Sequence, residues 1–175
     1  MTITYRAATF EDAQAVAHLH ALSWTTAYRG GYTDEFLDGP VWEDRRAFWT
    51  GRLAELPADQ YVVVAEEDGA IVGFACVTGA HHAELGSYLD NLHVAPDQHR
   101  KGIGTELMAA VRDWCVTNYP ECGLYLGVLE QNARAQTFYR SLGASDRYGE
   151  VVEATGGGTV AVRRYAWDSL DDVRA

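Results

Sequence analysis

The sequence predicts an α/β (α+β) fold, and three observations point to it. Stretches with apolar residues at helical spacing alternate with short β-rich runs. Glycine-rich turn signals separate the two kinds of segment. No run of about 18 apolar residues occurs, so nothing in the pattern reads as a membrane span. At 175 residues the expectation is one domain over 1–175. Hydrophobic residues make up 47% of the chain and charged residues 22%, enough for a core that needs no staples.

Ile3 to Ala8 reads as a short strand. At "ATFEDA" Thr9 is placed to N-cap a helix, and Asp12, three residues on, to complete a capping box. Ala13, Val16, Ala17, His20 and Trp24 then recur at helical spacing and define one apolar face. Gly30-Gly31 breaks that helix before a second one, and "VWEDRRAFWTGRLAEL" reads as a further helix ending at Pro57. The middle of the chain changes character: "QYVVVAEEDGAIVGFACVTG" holds two strands joined by Glu67-Asp68-Gly69, a hairpin signal. "SYLDNLHV" is a third strand, and after a glycine loop Ile103, Leu107, Val111, Trp114 and Cys115 share one helix face. "GLYLGVL" reads as a strand and "NARAQTFYRSLG" as a helix, with Ala135, Phe138 and Leu142 inward and Gly143 as its stop. Two closing strands flank Gly156-Gly157-Gly158.

The formal net charge is −11. It argues against the broad basic surface of a nucleic-acid binder and suits a cationic substrate better than an anionic one. The opening "MTITYRAATFED" has neither the basic start nor the apolar core of a signal peptide, so a cytoplasmic location without a membrane partner is expected. Cys76, Cys115 and Cys122 lack CxxC spacing and read as reduced thiols. The pairs His18/His20 and His81-His82 match no standard ligand spacing, so no metal is expected.

Against this acidic background the segment "LHVAPDQHRKGIGTELM" stands out. A strand that ends, turns and starts a helix leaves the first helical N–H groups without partners. With the loop's own amides they form a concave anion site that the helix dipole reinforces. Gly102 and Gly104 let the backbone approach phosphate closely, Thr105 adds a hydroxyl, and Arg100 and Lys101 offset negative charge. Together these describe a pyrophosphate cradle. The P-loop string G-x-x-x-x-G-K-[ST] is absent. A dinucleotide fingerprint would need glycine where Leu107 stands.

"VAPDQHRKGIG" resembles the acyl-CoA pyrophosphate loop of the GNAT superfamily N-acetyltransferases, [R/Q]-x-x-G-x-[G/A] after V-x-P, with His99 in place of the usual Arg or Gln. "NARAQTFYRSLGA" is similar to the family's second motif, N-x-x-A-x-x-[F/L]-Y-x-x-x-G-[F/A], with Asn132, Ala135, Phe138, Tyr139 and Gly143 in register. The resemblance covers most of the chain. It implies the fold of that family: a central mixed, mostly antiparallel sheet splayed between strands 4 and 5 and flanked by helices.

The resemblance further implies acetyl-CoA as co-substrate. His99, Arg100, Lys101, Gly102, Ile103, Gly104 and Thr105 would hold the pyrophosphate, the backbone of Leu92 and Val94 the pantetheine arm, and Asn132 that arm as well. The Val94 N–H would face the thioester carbonyl and stabilise the oxyanion. Tyr139 stands at the family's usual tyrosine position for protonating the departing thiolate. Many relatives place a Glu where this chain has Tyr88. By strand alternation Asp90 shares a face with Leu92 and Val94, making it the first choice of base unless a bulge reverses the parity. Glu84 and His93 are the other groups nearby, and relay through ordered water is an equal alternative. His20 is expected on the inner side of the first helix. Ser23, Trp24, Tyr28, Arg29 and Tyr32 fall in the region that covers the acceptor pocket in relatives.

The expected function is acetyl transfer from acetyl-CoA to a primary amine of a small molecule or peptide, by direct attack. Protein N-terminal or lysine acetylation and a non-catalytic acyl-CoA sensor are the alternatives. A homodimer is the default assembly, since closed two-fold assemblies are commonest.

Overall fold

The computed structural model describes residues 2–175. Strand β1 (Ile3–Ala7) leads through a 3-10 turn at Phe10–Asp12 into helix α1 (Ala13–Ala27). Helices α2 (Asp34–Leu37) and α3 (Val41–Ala54) follow, then the hairpin of β2 (Gln60–Glu67) and β3 (Ala70–His82). Strand β4 (Gly86–Val94), helix α4 (Ile103–Asn118), strand β5 (Leu124–Leu129) and helix α5 (Ala133–Ser141) come next. The hairpin of β6 (Ser145–Glu153) and β7 (Thr159–Trp167) closes the chain. These strands form one sheet in the order β1-β2-β3-β4-β5-β7-β6. Every neighbouring pair is antiparallel except β4 and β5, which run parallel.

Local chemistry explains the start. The Asp12 carboxylate accepts the Thr9 N–H at 2.8 Å, as a capping box requires, but the first turn it caps is 3-10. Asp12 also accepts from Arg6 at 2.8 Å, which ties that turn to β1.

Alternation along β2 sorts the core into two layers. Val62 and Val64 pack with Phe74 and Cys76 under α1 and α3. Val63 and Ala65 pack with Ala75 and Val77 under α4. Helix α4 contributes Ile103, Leu107, Met108, Val111 and Cys115, all buried, while Trp114 at its margin stacks on Tyr61 with centroids 5.6 Å apart. Gly104 in its first turn costs about 1 kcal/mol relative to alanine. Burying side chains of this size, at about 1.5–3 kcal/mol each, outweighs that readily.

The pairing of β4 with β5 is short. It consists of Ser87 with Leu124, Tyr88 with Tyr125 and Leu89 with Leu126. Beyond Leu89 the β4 strand keeps only β3, through Asn91–Cys76, Leu92–Ala75, His93–Phe74 and Val94–Gly73, while Gly127 to Leu129 keep only β7. The two strands part where β4 carries a bulge. Leu89 faces Val77 and Asn91 faces Cys76, so Asp90 is the extra residue.

At the other end of the short ladder Gly86 lies against Gly123, whose carbonyl accepts the Ser87 N–H at 2.9 Å. Gly86 has φ +92°, and a Cβ there would run into the Gly123 backbone. Gly86→Ala is therefore expected to destabilise the fold by roughly 2–4 kcal/mol. A urea midpoint equal to wild type would refute this close approach.

Candidate active site

Where β4 and β5 diverge, a cavity of about 480 Å³ opens between them. Of the residues expected at the site, Asp90, Leu92, Val94, His99, Arg100, Gly102, Ile103, Gly104, Thr105, Asn132 and Tyr139 line it. Lys101 does not; its ammonium donates to the Gln98 side-chain oxygen at 2.6 Å. Ser23 and Ala27 of α1, with Tyr28 capping its end, close the cavity from the other side. Trp24 and Tyr32 instead pack with Phe36, Leu37 and Val41, and Arg29 is taken up by Asp34 and Asp38.

The loop between β4 and α4 gathers backbone amides at the cavity. Arg100 and Gly102 adopt left-handed backbone, φ +68° and +81°, a conformation that turns successive N–H groups inward. The first helical bond runs from Glu106 N–H to the Gly102 carbonyl at 3.1 Å. The amides of Ile103, Gly104 and Thr105 therefore have no partner within the helix, and the dipole adds positive potential there.

His99 has a structural task that the sequence did not disclose. Its Nε2 lies 2.9 Å from the Val94 carbonyl, and since a carbonyl only accepts, that nitrogen carries the proton. The bond fastens the loop to the end of β4. Ala95 N–H bonds the Val72 carbonyl of β3 at 2.8 Å. Backbone groups alternate along a strand, so Val94 turns its N–H and carbonyl to the open side, facing the cavity.

Asn132 caps α5, its Oδ1 accepting the Ala135 N–H at 3.1 Å. Tyr139 is buried in the α4-side core, only 8% exposed. Burial, and secondarily Tyr88, pushes its phenol pKa upward, so it holds its proton.

Asp90 corrects an expectation. It does not share a face with Leu92 and Val94. Those two pack on the α4-side core together with Leu89, and three residues from Leu89 to Leu92 break strict alternation. The bulge turns Asp90 to the opposite side, where its carboxylate lies 3.9 Å from Arg52 of α3. Burial raises its pKa, and the positive charges of Arg52 and Arg45 oppose that shift.

Residues 14–144 match the model of the Acetyltransferase (GNAT) family. The chain belongs to this family. It is 25% identical to the N-acetyltransferase YuaI of Bacillus subtilis over 133 residues, 74% of this chain and 73% of that protein. PaiA N-acetyltransferase from Thermoplasma acidophilum, solved in complex with coenzyme A, has a similar fold, with TM-score 0.72 at 20% identity. That likeness covers 95% of this chain and all of the other. The fold of yncA from Salmonella typhimurium, solved with acetyl-CoA, gives TM-score 0.68 at 18% identity, covering 96% and 94% of the two chains.

The acetyltransferase has a second polar group at its cavity, assembled from distant parts of the chain. His93 projects from β4 to the α1 side, and its Nδ1 lies 2.8 Å from Ser23 Oγ. Both residues line the cavity. The ring packs on His20 and Phe74, with centroids 4.6 and 5.4 Å away. Burial, reinforced by Arg45, pushes His93 down to about 4, so the imidazole is neutral at ordinary pH. His20 lies deeper. Its Nδ1 accepts the Trp49 indole N–H at 2.9 Å, which leaves the proton on Nε2. His20 Nε2 has no hydrogen-bond partner among the described residues. Burial likewise holds His20 well below its ordinary pKa.

Both shifts have the same consequence for stability. Between pH 6.5, the ordinary value, and about 4, the unfolded chain binds protons at these histidines and the folded chain does not. Stability therefore rises with pH across that window and is lost as pH falls. For His93 alone the loss reaches about 3 kcal/mol. Melting temperature is expected to drop from pH 6.5 toward 4, and less steeply in His93→Gln. Parallel curves for the two proteins would contradict a neutral buried His93.

Proposed function

We propose that this acetyltransferase moves an acetyl group from acetyl-CoA to a primary amine of a small molecule or peptide by direct attack. The observation that carries the reading is the single cavity that joins the amide-rich loop, the open side of Val94 and the buried Tyr139 hydroxyl-bearing helix face. The coenzyme A and acetyl-CoA bound in the structures of PaiA and yncA support the choice of donor.

The assignment of roles follows the cavity. The amides of the loop from His99 to Thr105, with Arg100, bind the pyrophosphate, and Lys101 is left out of that set. Leu92, Val94 and Asn132 hold the pantetheine arm. The Val94 N–H stabilises charge that develops on the thioester oxygen. Tyr139, which keeps its proton until a strong base forms beside it, protonates the departing thiolate. Asp90 meets the acceptor from the α3 side and attracts its ammonium form. That role accords with the net charge of −11, which favours cationic acceptors.

Free-thiol release from acetyl-CoA, measured with spermidine, L-amino acids, kanamycin and short peptides against a no-acceptor control, tests the reading. Amine-dependent release is expected, and Tyr139→Phe should lower kcat on the order of 10²-fold. Silence across the panel with acetyl-CoA still binding would favour a protein acceptor or a non-catalytic sensor, and unchanged turnover in the variant would remove the role of Tyr139. Gly104→Glu is expected to abolish coenzyme A binding in calorimetry. Its Cβ would sit 3.2 Å from the Phe138 ring, and its carboxylate would repel phosphate. Retained affinity would exclude the loop as the pyrophosphate site.

A further inference from the structure

We infer that Ser23 and His93 form the proton relay that deprotonates the acceptor amine during acetyl transfer. The inference rests on the transfer reading above and assigns the one proton that reading leaves without a destination.

Leu92 and Val94 turn their side chains to the α4 layer, while His93 between them faces α1. It thus reaches the side of the sheet opposite the acyl-CoA loop's helix, one residue from the amide assigned to the thioester oxygen. Ser23 and His93 both line the cavity and lie 2.8 Å apart, within reach for a proton to pass directly. A hydroxyl suits the outer place in such a pair, because it accepts one proton while it donates another.

The groups around His93 are His20 and Ser23 from α1, Phe74 from β3 and the Arg45 guanidinium from α3. None of these is a carboxylate that would hold His93 permanently protonated, so the imidazole waits as a neutral acceptor. A proton it takes up is pushed onward by burial and by Arg45. Asp90, the carboxylate on the same strand, lies instead 3.9 Å from Arg52 of α3.

The amine nitrogen bonds to the acetyl carbon, and the carbon–sulfur bond breaks with its electron pair on sulfur. Ser23 Oγ takes the amine proton as the Ser23 hydroxyl proton passes to His93 Nδ1. Tyr139 gives its proton to sulfur. When the products leave, His93 releases a proton to solvent and Tyr139 recovers one, so a neutral amine reacts with no net proton gained or lost beyond the amine-to-thiol transfer. An acceptor that arrives as ammonium sheds its extra proton to solvent before attack. His93 must enter the step with its proton on Nε2.

The test uses acetyl-CoA with the amine from the panel that gives the fastest thiol release. His93→Ala is expected to lower kcat on the order of 10²-fold while KM for acetyl-CoA stays unchanged. Added imidazole should restore activity at least about tenfold, with a pH dependence that follows imidazole's own titration. Ser23→Ala should lower kcat about tenfold, a part of the general-base contribution. Should His93→Ala fail to fold by circular dichroism, Ser23→Ala decides alone, since it deletes one hydroxyl and keeps the imidazole. Unchanged kcat in the folded variants overturns the relay, as does a loss in His93→Ala that imidazole does not rescue. An acetyl adduct on Ser23 in quenched reactions overturns it too, because the serine would then be a nucleophile. Wild-type protein that binds acetyl-CoA but releases no thiol with any amine overturns the transfer reading itself, and the relay with it.

Discussion

One inserted residue governs this structure. The bulge at Asp90 shifts β4 by a single position against β3, and since side chains alternate with period two, everything beyond it changes face. Leu92 and Val94 consequently join the α4-side core and His93 meets α1. The ladder between β4 and β5 ends at the same place, after three residue pairs. The site is thus a defect in a sheet, held open by two well-packed layers on either side.

Those layers supply what the open seam lacks. Helix α4 is anchored by five buried side chains, so its N-terminal amides are held at the cavity mouth despite two glycines in the turn. On the other face, Arg45 stacks over Trp24 and Phe48 at 4.4 and 4.5 Å, and Trp49 fixes the tautomer of His20. These groups form an aromatic and cationic cluster within the α1 and α3 layer of a chain of strongly negative net charge. Of the polar residues that line the cavity on that side, Ser23, Tyr28 and His93 carry no carboxylate and Asp90 supplies one.

Most of the architecture was legible because it is encoded locally. Helical spacing located α1, α3 and α4, Asp68-Gly69 marked the β2–β3 turn, and the two glycine-containing motifs pointed to the loop and to α5. What was not legible depends on register. No property of "SYLDNLHV" announces that Asp90 is an extra residue, since the bulge is a relation between β4 and β3. The Ser23–His93 contact spans 70 positions, and no spacing rule reaches across that distance. His99 shows a third kind of gap. Its departure from the usual Arg or Gln was visible, but its bond to the Val94 carbonyl required the loop's actual path.

The three-pair ladder between β4 and β5 has a mechanical consequence. The sheet is two leaves, four strands and three, stitched along a spine of Ser87, Tyr88 and Leu89 against Leu124, Tyr125 and Leu126. Past the spine each leaf presents backbone groups that the other does not satisfy. An extended molecule laid between them would act as a missing rib, and the free energy of filling that slot would add directly to the free energy of folding. Occupancy and rigidity are then one variable. A cell that changes the supply of such a molecule changes how tightly the two leaves are bound together.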